Sequence, residues 1–212
     1  MTSKRTAARS VAAAVLAGLV AFAAASCSKS SPVAPTHTLP SLSEMLAEKT
    51  LGSASAPVTM IEYSSLGCIH CADFETTTLP QLKTTYIDVG RVKFIYRDYP
   101  LDPPSLIAAM VARCSGSNYF TTLDTLFRNQ ASWASAGNYT AAIKSVVAGI
   151  GMTSDDVDAC LAVPGLQSGI LAIMTTGTQQ YGVGATPTFF INTQRVDGAY
   201  PFATYAAIID GM

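Results

Sequence analysis

The chain has 212 residues, of which 49% are hydrophobic, and carries 13 Lys and Arg against 14 Asp and Glu. That suits one ordinary domain, or one domain with an insertion, with enough apolar material for its own core. Charge is nearly balanced and no run of one sign occurs, which excludes the clustered Lys and Arg of a nucleic-acid binder.

The first segment reads as a leader. Lys4, Arg5 and Arg9 make a basic start, and residues 11–25 are apolar, too short for a membrane span, and end in small side chains. Residues 1–26 are therefore expected to be a signal peptide. Ala24-Ala25-Ser26-Cys27 resembles the lipobox of bacterial lipoproteins, although Ala24 stands where that motif prefers Leu. The resemblance implies that Cys27 carries lipid and anchors the chain to a membrane; the alternative is cleavage after Ala25. Residues 28–40, rich in Ser, Pro and Thr and containing His37, read as a flexible tether. Ser41 and Glu44 have the spacing of a capping box, which predicts a short helix over 41–48. Tether and helix together occupy 27–50, and 51–57 reads as a link of small residues.

Residues 58–63 (Val-Thr-Met-Ile-Glu-Tyr) predict a strand, and 69–86 predict a helix in which Pro80 implies a kink or break. Residues 91–97 predict a second strand. Strand, helix, strand implies parallel pairing through a right-handed crossover. From 103 to 180 the pattern is helical, punctuated by Gly116, Gly137-Asn138, Gly151 and Pro164-Gly165. Strands resume over 188–192 and 195–197, and 201–209 predict a closing helix. The layout is a split α/β domain: 51–102, a helical insertion over 103–180, then 181–212.

The chemistry centres on Cys68-Ile69-His70-Cys71, at the predicted junction of strand and helix. A thiol at a helix N-terminus meets the positive end of the helix dipole, which favours the thiolate. Cys68, next to Gly67, is expected to be exposed and to attack; Cys71, one turn deeper, is expected to be shielded and to resolve. His70 can stabilise a neighbouring thiolate. Glu62 is either a buried acid able to exchange a proton with a thiol or a solvent-facing strand residue. Glu75, four residues after Cys71, is expected to be a solvated surface charge. Thr186-Pro187 precedes the apolar strand, and residues alone favour a trans bond there. The five cysteines leave an odd one; if Cys27 carries lipid, four remain, enough for two pairs. A metal module using Cys68, His70 and Cys71 is the alternative of another class, although no second Cys-x-x-Cys supplies the rest of a structural zinc site. No Gly-x-Ser-x-Gly is present, which sets aside a serine hydrolase.

Three stretches together resemble the DsbA family of thioredoxin-fold thiol oxidoreductases: Glu62-Tyr63-Ser64-Ser65-Leu66-Gly67-Cys68-Ile69-His70-Cys71, the helical insertion, and Gly184-Ala185-Thr186-Pro187-Thr188-Phe189-Phe190-Ile191. The resemblance runs from about Leu51 to the C-terminus. It implies a thioredoxin fold with an inserted all-helical domain, a cis Pro187 against the dithiol, and Thr186 offering backbone hydrogen bonds to a bound peptide. It also implies that Glu62 matches the family's buried acid. The pattern is similar to DsbA-like proteins of alphaproteobacteria, and Cys114 and Cys160 match a structural disulfide within their insertion. Ile69 departs from the family's usual Pro, which leaves the direction of electron transfer open.

The expected function is a periplasmic, lipid-tethered thiol:disulfide oxidoreductase that oxidises exported thiol proteins through a Cys68 mixed disulfide. The resemblance implies reoxidation by a DsbB-like, quinone-linked membrane partner. No cofactor is expected. A reductase or isomerase using the same site is the alternative within this chemistry.

Overall fold

The computed structural model describes residues 38–212, so the expected signal peptide, the Cys27 lipidation site and His37 lie outside the described residues. The chain begins with α1 (Leu42–Leu46), where Ser41 and Glu44 exchange side-chain and backbone hydrogen bonds in a capping box. It continues into β1 (Lys49–Leu51), a three-residue strand with no signal of its own in the sequence, whose last residue falls in the expected link.

Among the described residues five strands form one sheet in the order β1-β3-β2-β4-β5. β2 (Val58–Ser64) pairs in parallel with β3 (Val92–Asp98), as a strand–helix–strand crossover requires. β1, β4 (Thr188–Ile191) and β5 (Gln194–Asp197) pair antiparallel to their neighbours.

The crossover is helical throughout: α2 (Ile69–Asp73), a widened π-type turn (Phe74–Thr78), α3 (Leu79–Leu82) and a second such turn (Lys83–Ile87). Pro80 does not break it. The N–H of Leu79 bonds to the carbonyl of Phe74, five residues back, so the ladder has already widened where proline supplies no donor.

The insertion comprises α4 (Pro103–Cys114), α5 (Tyr119–Arg128), α6 (Gln130–Trp133), α7 (Tyr139–Ala148), α8 (Ser154–Leu161) and α9 (Leu166–Tyr181). Cys114 and Cys160 are joined as a disulfide linking α4 to α8. The closing helix α10 (Phe202–Asp210) starts behind Pro201.

Strand register decides what each sheet face buries. Glu62 is opposite Tyr96 on one side and Phe189 on the other, so these side chains share a face. Phe74 and Tyr205 pack on Phe189 of that face in tilted and edge-on contacts, with ring centroids 4.5–5.3 Å apart. Burying each such ring contributes about 1.5–3 kcal/mol. On the opposite face α9 presses on Tyr63: a Cβ at Gly177 would stand 2.6 Å from the Tyr63 ring, so only glycine permits the approach. Buried Arg113 pairs with Asp98 and donates to the carbonyl of Met45 at 2.6 Å, tying α1 to the end of β3.

Candidate active site

β2 ends at Ser64, and a tight turn through Gly67 delivers Cys68 to the N-cap of α2. A Cβ at Gly67 would lie 3.2 Å from the carboxylate of Asp102, the residue that caps α4, so the turn runs close under the insertion. The Cys68 sulfur accepts the backbone N–H of Cys71 at 3.4 Å and lies 3.4 Å from the Thr186 carbonyl. Thr186-Pro187 is cis, which residue statistics alone did not favour and the family resemblance implied. Cys68 is half-buried and Cys71 is fully buried; neither is bonded to the other.

The two sulfurs are electrically unlike. The Cys71 thiol directed at the Cys68 sulfur is the main cause that pulls Cys68 down to about 5. Partial burial opposes this, while Thr186 and the backbone N–H groups of Cys71 and His70 assist. Burial is the first cause that pushes Cys71 far up, and the neighbouring Cys68 and Glu62 push the same way.

Glu62 is completely buried, and burial raises its carboxyl to about 8. Glu75 corrects the sequence expectation: it is 5% exposed, not a solvated charge. It lies on the widened turn after α2, four residues past the buried Cys71, and so points inward with it. Burial, reinforced by Glu62, holds its carboxyl well above the usual range. The two carboxyls meet each other, and Ser64 adjoins Glu62.

His70 is exposed, and its contribution to the sulfur comes through its backbone N–H. Its side chain borders a groove with Asp73 and Thr77 on one wall and Tyr200 and Phe202 on the other. The metal alternative is not supported: among the described residues no three His, Cys, Asp or Glu side chains converge as a ligand set. Sequence reading missed Gln130, which reaches from α6 to the carbonyls of Leu66 and Cys68. No local pattern could have found it, because its partners lie 64 and 62 positions away.

A family profile described as thioredoxin matches residues 45–211. A protein of Rickettsia bellii, provisionally named protein-disulfide oxidoreductase, is 26% identical over 165 residues, covering 77% of this chain and 63% of that protein. A similarly named protein of Rickettsia conorii is 28% identical over 165 residues, covering 77% of this chain and 59% of that one. The chain thus matches less than two thirds of the length of these curated relatives. Among solved structures, Wolbachia pipientis alpha-DsbA1 is 29% identical with a TM-score of 0.73, covering 77% of this chain and 89% of that one. A protein-disulfide isomerase from Novosphingobium aromaticivorans is 26% identical with a TM-score of 0.68, covering 77% and 96%.

Proposed function

The chain belongs to the thioredoxin family and is DsbA-like, and from that premise we propose that it is a thiol:disulfide oxidoreductase that introduces disulfides into exported proteins. The observation that carries this reading is the asymmetry of the dithiol. Cys68 is held ionised at neutral pH and reachable, while Cys71 is held protonated behind it. Stabilising the Cys68 thiolate favours the reduced pair, which makes the disulfide a stronger oxidant.

The reaction starts from the Cys68–Cys71 disulfide. A substrate thiolate attacks the Cys68 sulfur, forming a mixed disulfide and breaking the bond to Cys71. Cys71 leaves with the electron pair and takes a proton from Glu62, whose raised value keeps it protonated near neutrality. A second substrate thiolate attacks the substrate's own sulfur and expels Cys68 as a thiolate, a good leaving group because its thiol is acidic. Two electrons have moved from substrate to enzyme, and the substrate leaves with its disulfide. Reoxidation requires an external two-electron oxidant, for which a DsbB-like, quinone-linked membrane protein is the expectation.

The substrate is an extended thiol-bearing segment beside Pro187, held through the Thr186 backbone. Periplasmic export and lipid attachment at Cys27 rest on the leader sequence. The Cys114–Cys160 disulfide supports the export part, since such bonds persist in oxidising compartments. The test is oxidation of a reduced, unfolded protein with glutathione disulfide as the terminal oxidant. Cys68→Ala is expected to abolish turnover and Cys114→Ala to retain it; equal loss in both variants would refute the assignment.

A further inference from the structure

We propose that Gln130 is a positioning residue for the Cys68 sulfur, through which the helical insertion holds the turn that carries the dithiol. This rests on the reading of Cys68 as the attacking thiol and adds a residue that neither motif nor spacing marks.

The Gln130 Nε2 donates to the carbonyl of Leu66 at 2.6 Å and to the carbonyl of Cys68 at 3.0 Å. The Cys68 carbonyl also accepts the N–H of Ala72 at 3.1 Å, the bond that starts α2, so one oxygen joins helix start and insertion. The other hydrogen bonds on this turn come from within it or from the sheet-domain side: Cys68 N–H to the Ser65 carbonyl, and Gly67 and Leu101 N–H to the Ser65 hydroxyl. Among the described residues Gln130 is the one that reaches over from the helices.

Its own footing is firm. Gln130 opens α6, and three residues on Trp133 is fully buried, with its indole N–H donating to the Leu126 carbonyl at 2.9 Å. The amide is therefore held against the turn by an anchored aromatic, and the side chain is itself half-buried.

Two effects follow, and they have the same sign. The donated N–H offsets the negative ends of two carbonyl dipoles flanking the sulfur, which lowers the cost of a negative charge there. It also fixes the turn, keeping the Cys71 N–H at 3.4 Å from that sulfur. Removing the donor leaves a carbonyl uncompensated and the turn looser. Replacing the amide with a carboxylate sets negative oxygen against both carbonyls.

The test uses the full chain with Gln130→Met, Gln130→Glu and, as a control on the outer side of α6, Ser132→Ala. Thiolate absorbance against pH gives the Cys68 titration, and equilibration with glutathione gives the redox constant. Thermal unfolding of both redox forms monitors the fold. Gln130→Met is expected to raise the Cys68 acid constant's midpoint and weaken the oxidant by about three- to tenfold, Gln130→Glu by more, and Ser132→Ala by neither. A wild-type thiol titrating low with Gln130→Met unchanged, its two redox forms losing stability equally, would reduce Gln130 to a structural contact and overturn the inference while leaving the function intact. An ordinary titration in the wild type itself would overturn both.

Discussion

Glu62 and Glu75 face each other in the interior beneath the dithiol, one from the end of β2 and the other from the widened turn after α2. No cation enters this site among the charged groups that act on either carboxyl; burial raises both, Glu62 raises Glu75 further, and a hydrogen bond with Glu75 offsets part of the rise at Glu62. Both are therefore protonated acids at neutral pH, and each has a consequence that can be measured.

The pair makes the folded state prefer protons. Glu62 moves from an ordinary 4.5 to about 8 on folding, and Glu75 moves in the same direction. Their stabilisation is full below about 4.5 and is lost as pH rises through the folded value, because the native state then binds more protons than the unfolded chain. Denaturant unfolding of the disulfide form, in which Cys68 and Cys71 do not titrate, is expected to lose stability between about pH 4.5 and 8. The slope is about 1.4 kcal/mol per pH unit for each carboxyl. The Glu62→Gln, Glu75→Gln double variant should be flat over that window. Wild-type stability that rises with pH there would contradict the buried, protonated pair.

Glu62→Gln keeps the shape and removes the proton. The rate at which a substrate thiolate opens the Cys68–Cys71 disulfide at pH 7 should fall by about a hundredfold, the low end of general acid catalysis. The pH–rate profile, measured by stopped flow, should also lose its limb near Glu62's value of about 8. A variant that keeps the rate and the limb would remove Glu62 from proton transfer.

Cys114→Ala separates structure from chemistry in the second pair of cysteines. The disulfide closes a loop over a sequence separation of 46, for which chain-entropy arguments give about 4 kcal/mol. Denaturant unfolding should show a loss of that order, with the Cys68 thiolate still titrating as in the wild type. A Cys68 titration that moved with this substitution would make the second disulfide part of the redox site.

Much of the fold is legible because its signals are local. The apolar run of Val58, Met60 and Ile61 and the later run of Val92, Phe94, Ile95 and Tyr96 announce the paired central strands. Lys49-Thr50-Leu51 is too short to stand out and becomes a strand only by pairing with Tyr96, Ile95 and Phe94. Pro80 reads locally as a break, and the widened turns that accommodate it are set by packing along the whole crossover helix. Glu75 reads as a surface charge because a lone helical carboxylate is normally solvated, yet its spacing from Cys71 places both on one face. The Cys-x-x-Cys motif carries its chemistry in four consecutive letters, whereas Gln130 meets that motif only after the insertion folds over it.

The reduction potential of the Cys68–Cys71 couple, measured by equilibration with glutathione, tests the account most directly. The acidic Cys68 thiol predicts an oxidising couple, closer to about −120 mV than to about −270 mV. A value near about −270 mV would mean that the disulfide is the favoured form and that electrons flow outward to substrates, contradicting the proposed oxidase.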